Sequence, residues 1–131
     1  MEIAVQPGLR LGTAADAVAL FTPRFSDCSR EKFAIAYLGA NGALLHLSER
    51  GDGADHIDLP LRTIIADALG LDARSMILAH CHPSGDPNPS KEDIGATWRL
   101  ARVAQELGIM LGDHLIFAER GHRSFRALGL L

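Results

Sequence analysis

The sequence predicts an α/β fold, a mixed β-sheet flanked by helices, and three stretches carry that prediction. Lys32 to Leu38 alternates Phe33, Ile35 and Tyr37 with Ala34, Ala36 and Leu38, so both faces of this strand are apolar and both need cover. Met76-Ile-Leu-Ala79 is a short apolar run ahead of a turn-rich segment, the pattern of a buried strand over Ser75 to Ala79. From Ser90 to Leu107, Ile94, Trp98, Ala101, Val103, Ala104 and Leu107 supply an apolar face, with Arg99, Arg102 and Glu106 turned to water; that is a helix. Strands and helices in this arrangement bury one another as layers.

The remaining elements follow in chain order. Residues 1–12 carry Pro7, Gly8 and Gly12 and read as an arm or leading strand. Thr13-x-x-Asp16 caps a short helix whose apolar stripe, Ala17, Val18, Leu20 and Phe21, stops before Pro23. Asn41-Gly42 is a hairpin signal that returns the chain along Ala43 to Ser48, and Glu49 to Gly53 reads as a polar turn. His56-Ile-Asp-Leu59 reads as a short strand. Pro60 suits the first turn of a helix running to about Leu69, with Ile64, Ile65, Ala68 and Leu69 buried and Gly70 as its stop. Gly108 ends the long helix, and strands at His114 to Ala118 and near Arg123 to Phe125 complete the sheet.

With 131 residues and 47% apolar composition, the expectation is a single domain over residues 1–131, residues 1–30 forming an N-terminal arm and short helix. No run of eighteen apolar residues exists, so no membrane span is expected. The start, Met-Glu-Ile-Ala-Val-Gln, lacks a basic segment followed by an apolar one and does not read as a secretory signal. Two cysteines, Cys28 and Cys81, are too few to imply a disulfide framework, which favours a reduced, cytoplasmic protein. A net charge of −3 argues against broad electrostatic binding of nucleic acid. Charge is nonetheless uneven: Arg120, His122, Arg123 and Arg126 cluster near the end.

The chemistry concentrates in residues 78–93. In a strand, alternate side chains share a face, so His80 and His82 project together and Cys81 opposite them. Three prolines and Gly85 between 83 and 89 force a rigid loop, after which Ser90 opens a helix with Asp93 in its first turn. Two neutral imidazoles and a carboxylate suit zinc and leave a fourth tetrahedral position open, as in catalytic rather than structural sites. Ser90-x-x-Asp93 is also a capping box, which by itself accounts for both residues at a helix start.

His80-x-His82, seven residues, Ser90-x-x-Asp93 fits the motif of the JAMM (JAB/MPN) metalloproteases, and the longer match resembles the RadC branch. His82-Pro-Ser-Gly-Asp-Pro-Asn-Pro-Ser90, Asp93-Ile94 with Thr97, Leu107-Gly-Ile109, Asp113-His-Leu-Ile116 and the ending Ser124-Phe-Arg126 all look like RadC. The resemblance implies a curved mixed sheet between helices with the metal at one end. It implies a Zn2+-dependent hydrolase of amide or isopeptide bonds, with His80, His82 and Asp93 as ligands. The general base of such enzymes is a Glu at the start of a strand entering the core, a place matched by Glu31, with Glu49 as runner-up. Ser90 corresponds to the residue that helps hold the oxyanion, a role alongside its N-cap geometry. Cys81 stands where RadC sequences commonly carry Asn, and His114 reads as a buried hydrogen-bonding residue rather than a ligand. A peptide or protein substrate is expected. The alternative is a DNA repair or recombination accessory domain that acts by binding DNA, although RadC proteins usually carry a helix-hairpin-helix region ahead of this domain.

Overall fold

Sheet formation centres on the strand whose two faces are both apolar. The computed structural model describes residues 2–3, 8–51 and 59–131. Strand β2 (Lys32–Leu38) is buried at every position after Lys32. It pairs antiparallel with β3 (Leu44–Gly51) on one side and β4 (Ser75–Cys81) on the other. β1 (Glu2–Ile3) adds antiparallel to β3, β5 (Met110–Ala118) parallel to β4, and β6 (Gly121–Ser124) antiparallel to β5. Among the described residues the sheet therefore has six strands in the order β1-β3-β2-β4-β5-β6. It is mixed, as expected. The parallel β4–β5 pair needs a crossover, which the long helix α3 (Lys91–Glu106) supplies.

Alternation in β2 and β4 divides the core in two. Ala34, Ala36, Leu38, Ala79 and Cys81 pack with Ala17 and Phe21 of helix α1 (Ala14–Phe21) on one face. Phe33, Ile35, Tyr37, Met76 and Leu78 pack on the other face. There they meet Ile64 and Ala68 of helix α2 (Leu61–Gly70) and Leu100 and Ala104 of α3. Tyr37 lies deep in that second layer, where burial, aided by the charge of Asp67, pushes its phenol up to about 12.

Local signals set most boundaries where expected. Thr13 caps α1 with a full capping box to Asp16, and a 3-10 turn over Thr22–Phe25 absorbs Pro23. Asn41 (φ 59°) and Gly42 (φ 74°) make the β2–β3 connection in left-handed backbone. A Cβ on Gly42 would meet Leu11 O at 2.6 Å, so this position requires glycine. Pro60 is the N-cap of α2.

Four readings are corrected. Glu49 to Gly51 do not turn but extend β3, because Lys32, Phe33 and Ala34 pair with them and Lys32 Nζ lies 3.4 Å from Glu49 Oε1. Leu69 is 53% exposed, since the buried stripe of α2 is only Ile64 and Ala68 wide. The inward face of α3 is Asp93, Ala96, Thr97, Leu100 and Ala104, whereas Trp98, Val103 and Leu107 are exposed. The helix is rotated because its first turn is fixed by Asp93 pointing inward, and the residues three, four, seven and eleven positions on follow it. Finally, Cys28 and Cys81 are joined by a disulfide. Cys81 does point away from the histidines, into the α1 layer, but it meets Cys28 there. The proposed strand at 56–59 falls largely outside the described residues; Leu59 itself is not in a strand.

Candidate metal centre

The site forms where β4 leaves the sheet beside the tip of α3. Phe33 of β2 faces His80 across the antiparallel pair, and the two-residue period puts Glu31 on that same side. β4 ends at Cys81, and His82 continues its line, held by a hydrogen bond from its backbone N to Phe117 O at 2.8 Å. The loop that follows is stapled internally, Asp86 Oδ1 accepting from both Asn88 N (3.0 Å) and Asn88 Nδ2 (2.9 Å). It delivers the chain to Ser90 and α3.

His80, His82, Asp93 and Glu31 converge. His80 Nε2 and His82 Nε2 are 2.8 Å apart. Asp93 Oδ2 lies 3.1 Å from His82 Nε2, Asp93 Oδ1 3.5 Å from His80 Nε2, and Glu31 Oε1 3.8 Å from His80 Nε2. One ligand atom from each of the four residues lies within 4.8 Å of all the others. The two roles of Ser90 and Asp93 coincide rather than compete. Ser90 Oγ accepts from Asp93 N (3.0 Å) while Asp93 Oδ2 accepts from Ser90 N (2.8 Å), a complete capping box whose carboxylate also faces the imidazoles.

Protonation states follow from burial and partners. Burial holds His80 below its ordinary value, only partly offset by Asp93. For His82 burial acts in the same direction, but the Asp93 carboxylate, the Asp86 carbonyl and the charge of Glu31 outweigh it and raise the imidazole. Burial pushes the Asp93 carboxyl up, yet the neighbouring imidazoles of His80 and His82 and the hydrogen bond from Ser90 N hold it well below the usual carboxylate range. His82 Nδ1 lies 2.9 Å from the Asp86 carbonyl oxygen, which can only accept, so Nδ1 carries a proton; the protonated ring sets Nε2–H between His80 Nε2 (2.8 Å) and Asp93 Oδ2 (3.1 Å), and loss of that proton bares an Nε2 lone pair facing inward. Two carboxylates and two imidazole nitrogens so closely set, three of the four side chains buried, form a donor group whose negative charge a cation would compensate. The donor set fits a divalent metal. A cleft of about 810 Å³, lined by Glu31, His82, Ser90 and Asp93 among others, opens onto it.

Glu49 is not among the residues brought together; its carboxylate sits on β3 against Lys32. Arg120, His122, Arg123 and Arg126 are exposed on and around β6, Arg126 Nε bonding to Gly112 O at 2.7 Å. Sequence reasoning placed His114 as a buried polar residue but missed its partners: it joins His80 to Thr97 of α3. The sequence signal was its position on the same strand face as the core, opposite a helix carrying a buried threonine.

Fold and site together define a mixed-sheet α/β domain with a two-histidine, two-carboxylate group of metal-ligating type at the sheet's end. The chain belongs to the RadC-like JAB domain family, whose model matches residues 11–130. It is similar to a UPF0758 protein of Rhodobacter capsulatus, 41% identical over 102 residues that cover 77% of this chain and 48% of that protein. It is similarly related to the UPF0758 protein SPO0054 of Ruegeria pomeroyi, 41% identical over 102 residues, 77% of this chain and 46% of that one. The chain thus spans about half the length of the curated relatives it matches.

Proposed function

We propose that this domain is a zinc-dependent hydrolase of amide or isopeptide bonds, with His80, His82 and Asp93 holding the ion and Glu31 moving the proton. The observation that carries this reading is the convergence of those four side chains, one ligand atom of each within 4.8 Å of the others, beside an open cleft that Glu31, His82 and Asp93 line. A bound zinc would supply a Lewis acid and a water of lowered pKa. The chain's own residues supply the rest. Glu31 is 3% exposed and its Oε1 is 3.8 Å from His80 Nε2, beside the proposed ligands, where its carboxylate would take a proton and return it to the leaving nitrogen. Ser90 Oγ accepts from Asp93 N, which leaves its own O–H to donate into the cleft towards an oxyanion.

Metal analysis of the purified protein tests the ligand set: about one zinc per chain is expected, lost in His82→Ala with the fold retained. Glu31→Gln should keep the zinc and lose hydrolysis of a fluorogenic peptide or isopeptide panel. Wild-type protein that takes up no divalent metal would overturn the reading.

A further inference from the structure

Behind the ligand His80 runs a buried chain of hydrogen bonds that ends on the backbone of another ligand. His80 Nδ1 lies 2.6 Å from His114 Nε2, His114 Nδ1 lies 2.7 Å from Thr97 Oγ1, and Thr97 Oγ1 lies 2.6 Å from Asp93 O. His80, His114 and Thr97 are 2%, 2% and 0% exposed, so water does not complete these contacts and each must be made within the chain. The last link fixes the direction of all the others. A carbonyl oxygen only accepts, so the Thr97 hydroxyl donates to Asp93 O and turns a lone pair to His114. His114 then donates from Nδ1 and accepts at Nε2; His80 must donate from Nδ1, and its Nε2 lone pair faces His82, Asp93 and Glu31. The opposite polarity would leave Thr97 Oγ1 and Asp93 O facing each other at 2.6 Å with no proton between them.

We propose that Thr97 and His114 are positioning residues that hold His80 in the Nδ1–H tautomer and so aim its Nε2 lone pair at the metal position. This rests on the metal-site reading above and extends it to two residues that touch neither ion nor substrate. His114 is itself held in place. Its ring stacks on Phe125 at 4.6 Å with planes 17° apart, and its backbone N donates to Asp113 Oδ1 at 2.7 Å. Asp113 in turn accepts from Ser124 Oγ and Arg126 N, so β5, β6 and the following turn form a rigid backing for the relay. Because Thr97 is one helical turn beyond Asp93, the same turn of α3 presents one ligand directly and orients another through two hydrogen bonds.

Nitrogen-15 long-range correlation spectra of the metal-free wild-type protein read the tautomers directly, and zinc titration against a competing chelator reads the affinity. In the wild type, His80 and His114 are expected to carry their protons on Nδ1. Thr97→Val removes the acceptor, so His114 shifts its proton to Nε2, His80 follows, and zinc affinity falls about 10- to 100-fold. Thr97→Ser keeps the hydroxyl and restores both readouts, which a merely space-filling threonine would not require. A wild-type spectrum with the His114 proton on Nε2 overturns the proposal without any variant, as does a folded Thr97→Val protein with unchanged tautomers and affinity. Zinc binding accompanied by the wrong tautomer sinks the relay and leaves the metal site standing; the right tautomers with no zinc uptake do the reverse.

Discussion

At the scale of single residues, Asp93 joins two jobs that the sequence could present only as alternatives. Its Oδ2 caps the helix at Ser90 N and sits 3.1 Å from His82 Nε2. An N-terminal carboxylate is favourable against the helix dipole, and the same charge helps neutralise an ion placed there. The jobs separate by substitution. Asp93→Asn keeps an oxygen that accepts from Ser90 N but loses the charge, so metal-free stability should fall little while zinc affinity drops at least tenfold. Ser90→Ala should show the converse, a loss of about 1 kcal/mol from the cap with a much smaller change in affinity. Urea unfolding with chelator present, paired with zinc titration, checks both; an Asp93→Asn protein that binds zinc as the wild type does would remove Asp93 from the ligand set. His80, His82 and Asp93 were legible because the strand period and a proline-stiffened loop fix their geometry within fourteen residues or so of chain.

At the scale of elements, what was misread lies where tertiary contacts overrule local pattern. The apolar residues of α3 suggested a face through Trp98, Val103 and Leu107, yet the buried line runs through Asp93 and Thr97. Counting only apolar positions cannot find a face that carries two polar members, Asp93 and Thr97, each satisfied by hydrogen bonds. Likewise the pairing of Cys28 with Cys81 spans 53 residues and has no local signature. Its consequence is specific: Cys28 precedes Glu31 by three residues, so the bond ties the approach of the proposed base to the ligand strand β4, on the opposite face from the histidines. Reduction should therefore lower stability by about 2–4 kcal/mol. Thiol counting on the air-exposed native protein, followed by denaturant unfolding with and without reductant, checks this. Two free thiols in the native protein would contradict the pairing.

At the scale of the molecule, the sheet order brings together residues too distant in sequence for any local rule to join: Glu31 before β2, His80 at the end of β4, Asp93 and Thr97 on α3, His114 on β5. Their burial makes stability depend on pH in a definite direction. His80 and His114 are both held below the ordinary 6.5 by burial, so below that pH the unfolded chain binds protons that the folded chain refuses, and stability falls. His82 is raised; its contribution is complete below 6.5 and is lost as pH rises through its folded value. Asp93 is depressed, so its contribution holds above 3.8 and is lost only at still lower pH. Between pH 8 and about 6.5 His82 therefore favours the metal-free fold, and below about 6.5 the two buried imidazoles oppose it, by at most roughly 1.4 kcal/mol per pH unit for each ring. Metal-free protein should be most stable near neutrality and weaken steadily towards pH 5. A zinc ion held at the proposed site would compete with the His82 proton for Nε2, so its presence should move the maximum to higher pH and add stability that grows with the concentration of free ion. Urea midpoints measured from pH 5 to 8, with chelator and with zinc, give both curves. A metal-free profile that rises continuously towards pH 5 would mean that His80 and His114 take up protons in the folded state, and that the buried relay is not held neutral.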